Sequence, residues 1–230
     1  MKKYLILCNL FMINLFLSQV SFKVINLQSI DHNKYLLKIN IINESSEKLA
    51  IPFDINWFKG YFSPQLCPTF EEIEYPYLAP TVLVKNLNKQ KYILAKSANI
   101  GYIGESLIKI DHNYQEDQKK VINSWMQKED IKDYSIGRTN FYIMNNMLLI
   151  QPKECFSYEI ILDISQIKYS KVSALYDEYT LKKGVTYEIS LIFCIDENIY
   201  HYLTSSQIMK FKEYKLFTGK IESNRFRIKY

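Results

Sequence analysis

Arginine is nearly missing from this chain. Arg138, Arg225 and Arg227 are its only three, and Lys supplies the rest of a formal charge of +5. Nucleic-acid surfaces cluster Arg and Lys on one face. Here the Lys residues are scattered, so no nucleic-acid partner is expected. Histidine is as scarce, at His32, His112 and His201. Asp31-His32 and Asp111-His112 each set a carboxylate beside an imidazole. Asp-His-Asn is also ordinary turn or cap composition, and neither a metal nor another cofactor is expected. Glycine is sparse too. Gly101 and Gly104 sit close together but lack the Lys-Ser/Thr ending of a phosphate loop. There is no Gly-x-Ser-x-Gly elbow for a hydrolase nucleophile. Cys67 or Cys194 near His201, or a carboxylate pair drawn from Glu71, Glu72 and Glu74, would need an adjacency that spacing does not reveal. The three acids read as a solvated patch, and the chain is expected to be non-catalytic, with an uncharacterised hydrolase as the remote alternative.

Long apolar runs are missing beyond the N-terminus. Residues 1–18 read as a secretory signal peptide, with Ser21 the alternative end. Lys2 and Lys3 open it, and an apolar stretch broken only by Asn9 and Asn14 follows. That stretch is shorter than the roughly 20 residues a spanning helix needs. Cys8 falls within the discarded part. The expected location is outside the cytoplasm, periplasmic or extracellular, with no stable membrane span after cleavage. Cleavage removes two Lys and no acid, so the formal charge falls from +5 to +3.

What remains is rich in apolar and aromatic residues. With 48% hydrophobic and 15% aromatic residues the chain is globular, not disordered. About 210 mature residues suffice for one large domain. Three Cys survive cleavage: Cys67, Cys155 and Cys194. A Cys67–Cys155 bridge, tying a long loop to the body, is the expected pairing, and three free thiols are the alternative.

Period-2 alternation dominates. Leu37, Ile39 and Ile41 alternate with Leu36, Lys38 and Asn40, and the run 36–53 reads as a strand, a polar turn and a second strand, a β-hairpin or β-arch. Strands are expected at 81–84, 91–96, 147–150, 155–165, 188–195, 216–222 and 226–230. A helix is expected at 113–128, capped by Asn113 with Glu116 three residues on. The spacing Leu181-x-x-Gly184-x-x-Tyr187 before a strand is that of a tyrosine corner, in which a late-strand Tyr returns its hydroxyl to the upstream backbone. There Tyr187, Ile189, Leu191 and Phe193 share one face, with Cys194 on the other.

The run LKKGVTYEISLIF resembles the late-strand signature of fibronectin type III and related immunoglobulin-like sandwiches. The ending FTGKIESNRFRIKY resembles the last strand of such modules in secreted bacterial proteins, through Phe217, Gly219, Ser223, Asn224 and Phe226. The resemblance implies a mainly β fold, an immunoglobulin-like β-sandwich over 19–230, with a helix-containing insertion at about 56–146 that departs from the family. It transfers no activity and no catalytic residue.

The insertion carries the strongest functional candidate. Trp57, Phe58, Tyr61, Phe62, Phe70, Tyr75 and Tyr77 crowd a Pro-rich stretch too long for an ordinary loop. Aromatic side chains offer flat apolar area at little rotamer cost, which suits a protein or glycan partner. The plainer alternative packs these residues back on the body as a satellite core, with Trp125 and Met126 as packing partners. Two readings follow from this: an exported binding module, or a structural subunit of the cell envelope.

Overall fold

The computed structural model describes residues 19–63, 67, 77–99, 105–168 and 175–230, with 105–111 described for the backbone alone. The expected signal segment, Phe70, Tyr75 and the Glu71–Glu74 acids lie outside these residues.

Alternation builds the first pair of strands. β1 (Val20–Asp31) and β2 (Lys34–Asn43) pair antiparallel around His32 and Asn33. Leu37, Ile39 and Ile41 are fully buried, and each such side chain stabilises the fold by on the order of 1.5–3 kcal/mol. A bulge between Val24 and Asn26 shifts the register of β1. Phe22 and Val24 face inward before it and Leu27 is half-buried after it, which leaves Ile25 in solvent.

The chain continues through β3 (Leu49–Pro52), β4 (Thr81–Asn86), β5 (Lys91–Ile93), β6 (Lys96–Asn99), helices α1 (Glu105–Glu129) and α2 (Tyr134–Asn145), and β7 (Met147–Ile150). It then forms β8 (Cys155–Asp163), β9 (Ile167–Lys168), β10 (Leu175–Glu178), β11 (Thr186–Ile195) and a 3₁₀ turn at Glu197–Tyr202. Helix α3 (Ser205–Lys210), β12 (Lys215–Leu216), β13 (Gly219–Glu222) and β14 (Phe226–Lys229) complete it. The protein is mainly β, with its strands in several sheets. One sheet runs β1-β2-β8. Another runs β13-β11-β4-β5, with β14 also on β11. Smaller sheets are β12-β3-β7 and β6-β10-β9. Inward residues of the two larger sheets, among them Leu37, Ile39, Val82, Tyr187 and Leu191, belong to one buried cluster. Phe53 bridges them, with its ring 5.7 Å from Phe22 and 4.7 Å from Phe193.

The tyrosine corner forms. Tyr187 is 1% exposed, and its hydroxyl accepts a hydrogen bond from the Lys182 backbone N–H at 2.8 Å. Gly184 provides the left-handed turn this needs, at φ +79°. Ser223 sits where the last strand breaks between β13 and β14. Its N–H donates to the Leu191 carbonyl at 2.8 Å, and its hydroxyl accepts from the Leu191 N–H at 2.9 Å.

Four sequence expectations are corrected. First, of the hairpin and the arch left open for 36–53, the hairpin does not form, and β2 and β3 lie in different sheets. β2 pairs with β8 and β3 with β7, with a break at 44–48 between them. Asn43 holds that break, donating from Nδ2 to the carbonyls of Glu47, Ile150 and Gln151. Second, the span 56–146 is not all insertion. β4 lies within it and pairs with both β11 and β5 at the centre of a sheet. Third, α1 starts at Glu105, well before Asn113, which is therefore a mid-helix residue rather than a cap. A capped start is found at α2 instead, with Asp133 accepting from the Ile136 N–H at 2.9 Å. Fourth, Cys67 bonds to Cys194, not Cys155, with the two Cα atoms 5.6 Å apart. Cys194 is half-buried on β11, packed against the rim of the core. Cys155 is free and exposed at the head of β8, paired with Ile42 in the other large sheet.

A buried polar network ties the helices to the body. The Trp125 indole N–H donates to Asn140 Oδ1 at 2.8 Å. Asn140 Nδ2 donates to the Tyr202 carbonyl and to Gln207 Oε1, both at 2.6 Å. Gln207 in turn donates to Glu129 at 3.0 Å. Asn140 and Gln207 are fully buried, and their amides are satisfied as burial requires.

Candidate binding cleft

Pro52 ends β3, and Asp54 then sets the path of the aromatic segment. Its carboxylate is 2% exposed. Oδ1 accepts from the Asn56 backbone N–H at 3.0 Å, a local turn that directs Asn56 and Trp57 outward. Oδ2 accepts from the Tyr142 hydroxyl at 3.0 Å, and that hydroxyl also accepts from the Leu78 N–H at 3.2 Å. The carboxylate thus pins both arms of the loop to α2.

From Lys59 the segment runs beside β4. The Lys59 N–H donates to the Pro80 carbonyl at 3.0 Å, and the Val82 N–H donates back to Lys59 at 2.8 Å. The Gly60 N–H donates to the buried Asp177 carboxylate at 2.6 Å, and the Tyr61 N–H to the Tyr179 hydroxyl at 2.8 Å. Tyr179 itself donates to the Val82 carbonyl, and burial pushes its phenol far above the ordinary range. A Cβ on Gly60 would come within 2.6 Å of Ala95 Cβ and 2.7 Å of Asp177 Cβ, so only glycine fits this approach.

These contacts split the predicted aromatic set. Phe58 and Tyr61 are 4% and 7% exposed and belong to the core, so they present no face to a ligand. Phe62 is exposed, Tyr77 half-buried and Trp57 half-buried. Trp125 packs edge-on against Phe141 of α2 at 5.7 Å. Tyr77 is engaged by Lys59, whose ammonium donates to the Tyr77 carbonyl at 2.7 Å and stands 5.1 Å from the ring centroid. Burial lowers the Lys59 pKa to about 8. Burial, and after it the charge of Asp196, raises the Tyr77 phenol.

Trp57 opens onto a cleft of about 260 Å³. Asn56, Lys34, Asp163, Gln166 and Lys168 join it there, beside the exposed side chain of Ile161. Lys34 and Asp163 approach at 3.8 Å. Asp163 Oδ1 already accepts from the Ser165 backbone and hydroxyl, at 3.1 and 2.6 Å, which fixes the carboxylate. Gln166 and Lys168 are half-buried, and neither side chain has a partner among the described residues. The cleft therefore offers one flat apolar surface and an oriented carboxylate, with the Gln166 amide and the Lys168 amine unpartnered among the described residues; the Asn56 amide donates to Asp54 Oδ1 at 3.3 Å.

Sequence reasoning singled out Trp57 but missed its companions. Asn56 left a weak local trace, the Asp-x-Asn turn. Asp163 ends β8, Gln166 follows it and Lys168 ends β9, all more than a hundred residues away, and no local pattern links them to Trp57. The histidines do not converge on a common site: His32 lies in the β1–β2 turn, His112 on α1 and His201 in the 3₁₀ turn. Among the described residues no group of three or more His, Cys, Asp or Glu is arranged to hold a metal. Nor is any described helix long and apolar enough to cross a membrane. No protein-family model matches the chain, and no curated protein or solved structure matches it either.

Proposed function

We propose that the chain is an exported, non-catalytic binding module on an immunoglobulin-like β-sandwich, which holds one sugar ring or one large side chain of a partner protein beside Trp57. The observation that carries this reading is the half-buried Trp57 in an open cleft, beside a Gln166 amide and a Lys168 amine that have no partner among the described residues and an oriented Asp163 carboxylate. An indole supplies a flat stacking surface, and the polar groups set orientation. Ligand pockets for drug-sized molecules run from about 300 Å³ upward. A cleft of about 260 Å³ suits a single ring.

Strand order supports the architecture. The orders β1-β2-β8 and β13-β11-β4-β5 correspond to strands A-B-E and G-F-C-C′ of an immunoglobulin-like sandwich, and the tyrosine corner opens the strand equivalent to F. The Cys67–Cys194 bridge favours an oxidising compartment, in keeping with an exported chain. The second reading, an envelope assembly subunit, is favoured by β8. Among the described residues it pairs only with β2 and carries exposed Ile161 and Cys155 beside an open edge.

The test compares the mature chain with Trp57→Ala, checked by circular dichroism to be folded, on a glycan array and in pull-downs from envelope and culture fluid. A defined glycan or protein retained by the unmutated chain, and weakened about tenfold in the variant, supports the module. Equal retention, or no ligand, overturns it. Capture of further copies of the chain alone moves the assembly reading to first place.

A further inference from the structure

A second cleft, of about 400 Å³, opens between the β1–β2 turn and β14, and shares no lining residue with the one at Trp57. Tyr35, His32, Asp31, Arg227 and Lys229 line it, over Ile228. Tyr35 is 6% exposed, and its hydroxyl has no hydrogen-bond partner among the described residues. Burial, and then the neighbouring Tyr230 phenol, raise its pKa, which keeps it a neutral donor. The His32 ring lines the cleft and is backed by Tyr230, with centroids 5.2 Å apart and planes at 40°.

The charges lining this cleft are unequal. Arg227 and Lys229 are exposed and have no carboxylate partner among the described residues. The one acid present, Asp31, is turned to its own loop, where Oδ1 accepts from the His32 backbone N–H at 2.7 Å. Two unpaired cations and an idle hydroxyl donor thus meet in one concavity, the donor set that recognises an oxyanion.

We propose that this cleft binds a small molecule bearing an oxyanion, a carboxylate or a phosphate, held by Arg227, Lys229 and the Tyr35 hydroxyl with its body against His32. The inference does not depend on the Trp57 cleft.

The test titrates the full chain with glucuronate, glucose 6-phosphate, inorganic phosphate and, as the neutral control, glucose. Two-dimensional NMR and calorimetry report binding. Saturable shifts at Tyr35, His32 and β14 are expected with at least one anion, with a Kd of about 1 mM or tighter, and not with glucose. Glucuronate alone would assign a carboxylate, and the phosphates alone a phosphoryl group. The exposed double variant Arg227→Gln, Lys229→Gln is expected to weaken binding by about tenfold or more. Tyr35→Phe, which keeps the ring, is expected to weaken it by about threefold. No saturable response to any anion, an equal response to glucose, or undiminished binding by the double variant would overturn the site. Should Tyr35→Phe fail to fold, the double variant decides.

Discussion

The side-chain amide of Asn224 is hydrogen-bonded twice to the backbone of Val24: Oδ1 accepts from the Val24 N–H at 2.8 Å, and Nδ2 donates to its carbonyl at 3.0 Å. Two hundred residues separate the partners. β1 is an edge of one sheet, and β13 and β14 share the outer side of β11 at an edge of another. A carboxamide is chemically a peptide group, so Asn224 makes the contacts of a neighbouring strand where none runs. It also sits where both strands are irregular, beside the β1 bulge and in the gap between β13 and β14.

Asn224→Ala removes both bonds and leaves the Val24 groups to water. The expected loss is about 1–3 kcal/mol in urea unfolding. Faster amide exchange at Val24, with no change at β8, would localise the effect. An unchanged midpoint would show that the bridge is not stabilising.

Tyr187→Phe keeps the buried ring and deletes the hydroxyl that accepts from Lys182. A stability loss of about 1–2 kcal/mol is expected, which for a domain of this size lowers Tm by roughly 2–8 °C. Calorimetry on the pair of proteins measures it directly.

Lys59 makes stability depend on alkaline pH. Its pKa falls from 10.5 to about 8 on folding because burial disfavours the ammonium. Between those values the unfolded chain binds a proton that the folded chain does not, so stability rises with pH across that window. Below it, the penalty for the buried charge is present in full. Lys59→Met is expected to be more stable near neutral pH by on the order of 2 kcal/mol. It should also lose the rise, in denaturant curves recorded from about pH 7 to about pH 10. Parallel pH profiles for the two proteins would refute this.

Reduction of Cys67–Cys194 opens a loop spanning 127 residues. Chain entropy puts the cost at about 4–5 kcal/mol, and measured losses for such bridges run to about 2–5 kcal/mol. Alkylation followed by peptide mass spectrometry should label Cys155 without reductant, and Cys67 and Cys194 only after it. Cys155→Ser, at an exposed position, should leave the unfolding midpoint where it was.

The parts legible in the sequence were those set by neighbours in the chain. The alternation around Leu37, Ile39 and Ile41 marked a half-buried strand because side chains alternate faces every residue. Leu181, Gly184 and Tyr187 marked the corner because all three lie within one turn. The choice between a hairpin and an arch at 36–53 was not legible for the converse reason: only the remote partners β8 and β7 reveal that β2 and β3 do not pair with each other across the run 44–48. Trp57 was visible as an aromatic in a long loop. Whether Phe58 and Tyr61 were beside it or beneath it depended on Asp54, Asp177 and Tyr179, which direct the backbone from afar.

The sequence by itself thus determined a mainly β chain, the inward faces of β2 and β11, and the Tyr187 turn, because backbone geometry imposes short periods that local residues must satisfy. Only the tertiary structure decided which cysteines pair, which aromatics are buried, and which charges meet in a cleft, because those depend on contacts between strands far apart in the chain that carry no local signature.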